Sequence, residues 1–525
     1  MSGGRHPILV VGGGPVGLTV ANLLAARGVS VVLVERNRST SDEAKAISLD
    51  DESLRTLQQA GLADAVMDIV VPGTGTRYFD RKGRPLFHAG GPQPYRHGFP
   101  FKNQFAQPEL ERVLLDALRA RPEADVRLGT ELVAVDGTSA RLRSGDASTT
   151  LATEWVLGCD GGRSTVRELC GIGMAGTSHD QLWMVVDTTG DHHDERYGMH
   201  YGRPDRPTVI VPGRAGRCRY EFRLRAGEGT KGPAEFATIR RLLEPYRRIT
   251  EDQIERSANY TFNAVTADRW RDGRRLLLGD AAHMMPPFAG QGLNSGIRDA
   301  ANVAWKIAEV WHGRASAGLL DTYEPERRPH ASAMVRYSRW LGEVVMTTGR
   351  RRALVRDAAI RTLLAVPPGR RYLTHMRFRP DAVHSGGLVL DTHELTGTLL
   401  PQPRVLIAPE LRPGLLDTVL GEGFALLGVD TPEPAWASLD AAGWGALSLP
   451  IRRVDVVLGD RLPRCAEGRL AVADADGRLE GALASAAGGF VLVKPDRYVA
   501  AVIRPGGAAQ IADRLRAFDR CKEAV

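Results

Sequence analysis

Three clusters of glycine and carboxylate stand where an apolar strand pattern gives way to a helical one. The first is Gly12-Gly13-Gly14-Pro15-Val16-Gly17, after the apolar run Ile8 to Val11. It fits G-x-G-x-x-G. Such a turn can hold a pyrophosphate: Gly12 permits the tight turn, Gly14 lets backbone approach the phosphates, and Gly17 lets the helix pack on the strand. Pro15 and Val16 open that helix, whose unpaired N–H groups and positive dipole end face an anion. A second strand pattern, "VSVVLVER", brings Glu35 and Arg36 to its end. Glu35 can accept from ribose hydroxyls. An acid rather than a base at this point indicates FAD or NAD rather than NADP.

The second cluster is Cys159-Asp160-Gly161-Gly162-Arg163-Ser164, between the strand pattern "WVLG" and a helix near Thr165. Alone, Asp160 and Ser164 read equally well as a helix cap. The third is "GDAAHMMPPFAGQGLN", residues 279–294. It carries Asp280 at a strand end, then Pro286, Pro287, Gly290 and Gly292, before a long helix. In that helix Leu293, Ile297, Ala300, Ala301, Ala304, Ile307 and Ala308 recur at helical spacing, which marks a core stripe. Its start, at Gly292, Leu293 and Asn294, leaves backbone N–H groups free. No second G-x-G-x-x-G lies between a strand and a helix, so one dinucleotide is held firmly and any second binds in passing.

The elements that must position these clusters follow from pattern and composition. The chain has 525 residues, 43% of them hydrophobic, and a formal net charge of +7. No apolar run reaches the ~18 residues of a membrane span. Arginine is scattered rather than gathered on one aromatic-interleaved face, so nucleic acid is not expected as a partner. Cys159, Cys170, Cys218, Cys465 and Cys521 show no C-x-x-C spacing. Neither a disulfide frame nor a metal site is expected, and a reducing cytoplasm is. An α/β dinucleotide-binding domain is expected over 1–178 plus 272–365. Alternating strands such as "QLWMVVDT" and "RCRYEFRLR" place an antiparallel sheet at 179–271. Strands "GFALLGVD" and "GGFVLVKP" with a last helix form a further domain over 385–525.

The three motifs, in this order and at these separations, resemble the single-component (class A) FAD-dependent aromatic hydroxylases of the p-hydroxybenzoate hydroxylase type. Further stretches, "AISLDDESLRTLQQAGL", "QGLNSGIRDAANVAWKIAEV", "LLDTYEPERRPHA" and "VKPDRYVAA", resemble its 3-(3-hydroxyphenyl)propionate hydroxylase branch. The resemblance spans nearly the whole chain. It implies a Rossmann-type FAD-binding domain, an inserted, mostly antiparallel substrate-domain sheet, and a thioredoxin-like C-terminal domain lacking C-x-x-C. By the same resemblance Gly12, Gly14, Gly17 and Glu35 hold the ADP half, Gln107 contacts FAD, and Asp160 serves FAD and nicotinamide. Asp280 bonds the ribityl chain and Pro287 lies beside the flavin, with Gly290 in the same loop. The backbone of Gly292, Leu293 and Asn294 faces flavin N1 and C2=O. Lys45 stands where the family has an arginine.

The implied activity is hydroxylation of a phenol through a flavin C4a-hydroperoxide, with NADH or NADPH as transient co-substrate and O2 as oxidant. A homodimer is among the assemblies the resemblance implies. His200, Tyr201, Arg219, Tyr220, Arg223 and Tyr260 fall in the expected sheet and are candidates to meet a phenol or carboxylate; an ordinary sheet residue is the simpler reading of each. Substrate alternatives stay open between a small phenolic acid and a bulky polyketide or naphthol of secondary metabolism. A flavin dehydrogenase or oxidase that inserts no oxygen is the remaining alternative.

Overall fold

A computed structural model of the chain describes residues 5–42, 45–178, 181–459, 461–466, 468–504 and 506–519. Cys521 lies outside them. The other four cysteines are free thiols.

Ile8–Val11 is buried at every position. A strand covered on both faces must be apolar throughout, as in a parallel sheet flanked by helices. It lies inside a six-stranded sheet ordered Arg271–Asp272, Arg275–Leu277, Trp155–Gly158, Ile8–Val11, Val31–Glu35, Ala124–Leu128. All neighbours pair in parallel except the short antiparallel edge, Arg271–Asp272. The helices Pro15–Ala26 and Gly292–Trp311 pack on one another beside it. Thus the glycine turn, Asp160 and Asp280 all reach the same carboxyl end of one sheet. That is the edge where open α/β sheets bind ligands.

A second sheet has seven strands, ordered Ile254–Tyr260, Trp183–Thr188, Cys218–Arg223, Thr208–Pro212, Gly198–Tyr201, Thr76–Phe79, Pro85–Ala89. Five come from the expected insertion. The last two come from residues 76–89, which the sequence reading assigned to the first domain. Thr76–Phe79 pairs in parallel with Gly198–Tyr201, a long-range match that local pattern does not reveal. One face is covered by helix Phe236–Leu243. The other packs against helix Tyr323–Val345 and the proline loop at 285–289.

The C-terminal unit is a mixed seven-stranded sheet. Phe424–Val429 and Ile451–Val457 run parallel, joined through helix Glu433–Ala441. The hairpin Gly489–Val493 and Val499–Ile503 adds on antiparallel, before the last helix Ala508–Arg516. The first unit meets it through buried ions. Arg55 binds Asp417 at 2.7 Å, and Glu326 sits between Lys306 at 2.7 Å and Lys494 at 3.2 Å.

Candidate active site

The glycine cradle has the properties its spacing predicts. Gly12 takes φ +108°, and a Cβ there would lie 2.5 Å from the Cys159 carbonyl oxygen. A Cβ on Gly17 would lie 2.0 Å from the Gly12 carbonyl oxygen. Those two glycines serve close packing. A Cβ on Gly14 would meet no protein atom within 4 Å, so this position faces outward. Gly14 caps helix Pro15–Ala26 without a side-chain bond, leaving the first N–H groups exposed to a ligand. Val16 packs against Gly279 and Gly296, where an added Cβ would approach it to 3.1 and 2.5 Å. It thereby ties the first motif to the third. The Glu35 carboxylate accepts from Gly13 N at 2.8 Å and from Asn37, and stays half-buried. Arg36 is exposed beyond it.

Asp160 lies beside this cradle. Its oxygens accept from the Ser164 hydroxyl at 2.5 Å and from Val166 N at 3.0 Å, so it does act as a cap. Burial raises its pKa against those bonds. Gln107 begins helix Gln107–Arg119 and spends its amide on the protein. The oxygen accepts from Ala46 N at 2.8 Å, and the nitrogen donates to Glu111 at 2.7 Å. It therefore positions the segment after Lys45.

Asp280 differs from all these. It is exposed between buried Gly279 and Ala281, and it makes no hydrogen bond or ion pair among the described residues. The walls around it are close enough for burial to raise its pKa, with His283 and Lys45 pulling the other way. Lys45 thus stands near Asp280, and its carbonyl is held by Arg219 at 2.8 Å. His283 turns inward. Its Nε2 lies 2.7 Å from Asp299, which also accepts from Gly279 N at 3.1 Å and from Arg327 at 3.0 Å.

Pro287–Ala289 forms a single 3-10 turn closed by Gly290 at φ +62°. Helix Gly292–Trp311 then begins with no side-chain cap on its N–H groups. The Asn294 side chain is not free for a ligand. Its oxygen accepts from Asp50 N at 2.9 Å and Ser53 Oγ at 2.8 Å, and its nitrogen donates to Ser48 O at 3.0 Å and Gly290 O at 2.7 Å. Only backbone remains at Gly292, Leu293 and Asn294 to face outward.

The substrate candidates divide by strand alternation. Arg219, Glu221 and Arg223 share one face with Asp187, Trp183, Val209, His200, Tyr78 and Tyr260. This is the face toward the proline loop: the Trp183 and Phe262 rings lie 5.1 and 5.3 Å from that of Phe288. Tyr201 and Tyr220 point to the opposite face. Tyr201 stacks on Phe79 at 4.4 Å, and Tyr220 donates to Asp191 at 2.7 Å within the cluster under helix Phe236–Leu243. Neighbours in a strand face opposite sides, so His200 and Arg219, rather than Tyr201 and Tyr220, share the face toward the proline loop.

Even on the inner face, charge is partly spent. Arg219 is clamped to Asp187 by bonds of 2.6 and 2.9 Å. Arg223 opens toward a surface cleft of about 570 Å³ that also borders Lys231 and Thr348. His200 is 6% exposed and neutral; burial first, then Lys102, lowers its pKa to about 3. Two groups the sequence reading passed over remain unspent. Lys102 donates to the Thr76 hydroxyl at 2.6 Å and has no carboxylate within ion-pair distance among the described residues. Glu221, 6% exposed, makes no hydrogen bond among them either. Burial raises the Glu221 pKa, opposed by Arg219. The alternation of "RCRYEFRLR" could have placed Glu221; Lys102 lies in a three-residue strand without such a signal.

The geometry fits a flavin dinucleotide: an open glycine turn, an unengaged acid and an uncapped helix start lie along one sheet edge, beside an apolar wall. Family comparison agrees. Residues 5–338 match an FAD binding domain and residues 397–518 an HcaD C-terminal domain. The chain is 37% identical over 525 residues to a "3-(3-hydroxy-phenyl)propionate/3-hydroxycinnamic acid hydroxylase" of Mycolicibacterium gilvum, covering 97% of this chain and 91% of that protein. It is 35% identical to a hydroxylase of the same name, number 2, of Burkholderia vietnamiensis, covering 98% and 96%. Among solved structures, OxyS anhydrotetracycline hydroxylase from Streptomyces rimosus superposes with TM-score 0.75 at 25% identity, over 98% of this chain and 99% of that one. The flavin-dependent monooxygenase PieE, at TM-score 0.78 and 21% identity over the same shares, has the same fold. The chain belongs to the single-component FAD-dependent aromatic hydroxylases.

Proposed function

We propose that this FAD-dependent monooxygenase hydroxylates a small phenolic acid, with 3-(3-hydroxyphenyl)propionate and 3-hydroxycinnamate as the first substrates to test. The observation that carries the reading is the inner sheet face. It sets an apolar wall and two unspent charged groups directly beside the proline loop and the open start of helix Gly292–Trp311. The names of relatives that match nearly the whole chain support the same substrates.

The bound FAD supplies hydride acceptance from NAD(P)H and the activation of oxygen. The chain's residues do the rest. The turn at Gly14 and the N–H groups of helix Pro15–Ala26 take the pyrophosphate, and Glu35 the ribose. Asp280 accepts from the hydroxyls between the two halves. The uncapped N–H groups of Gly292, Leu293 and Asn294 would stabilise negative charge on a bound flavin. Trp183, Phe262, Phe288 and Met285 keep water away and hold the aromatic ring in place. Among the described residues no helix is long and apolar enough to cross a membrane. The cytoplasm, which holds NAD(P)H and free thiols, is the compartment we infer.

The test is reduction of the FAD-loaded enzyme by NADH and by NADPH, followed at the flavin absorbance. Reduction should accelerate at least about tenfold when 3-(3-hydroxyphenyl)propionate is present. A yellow enzyme whose reduction ignores both acids would overturn the small-acid reading and favour a bulky aromatic substrate.

A further inference from the structure

Resting on the phenolic-acid reading, we infer that Lys102 receives the substrate carboxylate and Glu221 accepts the hydrogen of its phenolic hydroxyl. The two residues form opposite ends of one binding face.

Placement supports this first. Lys102–Gln104 pairs with Ser48–Asp50, and Ser48 O is held by Asn294 at the helix start. Residues 102 and 104 alternate with buried Asn103, so both lean on the seven-stranded sheet; Lys102 reaches Thr76. Glu221 rises from the same face. Across the sheet it registers with Val209, then His200, then Tyr78, two residues from Thr76. Three inter-strand steps of ~4.8 Å separate the Glu221 and Tyr78 backbones by ~14 Å. That span is comparable to the length of a hydroxyphenyl acid with one hydrogen bond at each end. In register between the two residues lie Val209 and neutral His200.

Satisfaction supports it second. Buried ions normally find partners. On this face Arg219 has Asp187, yet among the described residues the Lys102 ammonium bonds one hydroxyl and the Glu221 carboxylate makes no hydrogen bond or ion pair. The charges facing them are each other, the Arg219–Asp187 pair and, around Lys102, His200, His88 and Arg77. A cation at one end and an acceptor at the other match a molecule with a carboxylate at one end and a hydroxyl donor at the other. Direction of binding is thereby fixed, which determines the ring carbon presented for oxygenation.

The test measures binding to FAD-loaded enzyme through the change in flavin absorbance, with three ligands. These are 3-(3-hydroxyphenyl)propionate, 3-propylphenol without the carboxylate, and 3-phenylpropionate without the hydroxyl. One charged hydrogen bond corresponds to about tenfold to a hundredfold in affinity. Wild type should prefer the full acid by that factor over either analogue. Lys102→Met should abolish the preference over 3-propylphenol and keep the preference over 3-phenylpropionate. Lys102→Arg should restore the first. Glu221→Gln should diminish only the second. The assignment is overturned if Lys102→Met, with flavin retained, weakens acid and propylphenol by the same factor. It is overturned equally if Glu221→Gln leaves the hydroxyl preference intact. Wild type that binds none of the three overturns the phenolic-acid reading itself.

Discussion

Replacing Asn294 by Ala removes four buried hydrogen bonds at the start of helix Gly292–Trp311. Their lengths are 2.7 to 3.0 Å, and the side chain is fully buried. Each such bond is worth about 1 kcal/mol net, and the Asp50 N–H, Ser48 C=O and Gly290 C=O would be left without it. The Ser53 hydroxyl can rotate to another acceptor, so three bonds count and the loss comes to about 3 kcal/mol. That is well below the ~5–15 kcal/mol of a typical domain, so the variant should fold. At roughly 2 °C per kcal/mol for a domain of this size, melting falls by about 6 °C. The same bonds hold the strand Ser48–Asp50 against the uncapped N–H groups that face the flavin. We therefore expect FAD to dissociate about tenfold more readily. Thermal unfolding and flavin released on dilution read the two effects separately. Unchanged melting would refute the hydrogen-bond reasoning; lowered melting with unchanged FAD affinity would refute the link to the flavin site.

Other variants separate folding from cofactor binding. Gly14→Val adds a side chain that meets no protein within 4 Å at its first atom, so the protein should fold yet purify without yellow colour; normal flavin content would contradict the cradle. Asp280→Ala removes a carboxylate that makes no hydrogen bond or ion pair among the described residues, so melting of the flavin-free protein should hold while FAD affinity drops about tenfold. Glu326→Gln removes the carboxylate paired with buried Lys306 and Lys494 and leaves Asp496 as the acid still acting on Lys306, at a cost of about 3–5 kcal/mol, read by urea unfolding; a loss under ~1 kcal/mol would refute it. Burial opposes ionisation of Glu326, but the two lysines outweigh it and bring its pKa from 4.5 to about 2. A depressed acid pKa gives stability that is present above about 4.5 and lost as pH falls toward 2. At ~1.4 kcal/mol per unit this comes to about 3 kcal/mol, and it should be missing from the acid unfolding curve of Glu326→Gln.

Local motifs were legible because their physics is local. A turn that needs Gly12 at positive φ, and a helix start that needs no cap, leave marks within a few residues. The placing of Glu35, Asp160 and Asp280 at strand ends follows from such marks; the order of the strands does not. What escaped depends on distant partners. The strand at 76–79 joins the second sheet only because Gly198–Tyr201 lies beside it. Asn294 carries no sign that its side chain is consumed by residues 48–53. Tyr201 and Tyr220 could have been set aside from alternation alone, since His200 and Arg219 already occupied the inner positions. Lys102 is unreadable in sequence, because its neighbours Thr76 and Glu221 come from distant strands.

The central claim is oxygen insertion into a phenolic acid. It is tested most directly by turnover of 3-(3-hydroxyphenyl)propionate under ¹⁸O2 with NAD(P)H, followed by mass analysis of the product. The account predicts a product that gains one oxygen atom, carrying the ¹⁸O label. An oxidised product without the label would contradict it and make the chain a flavin dehydrogenase or oxidase instead.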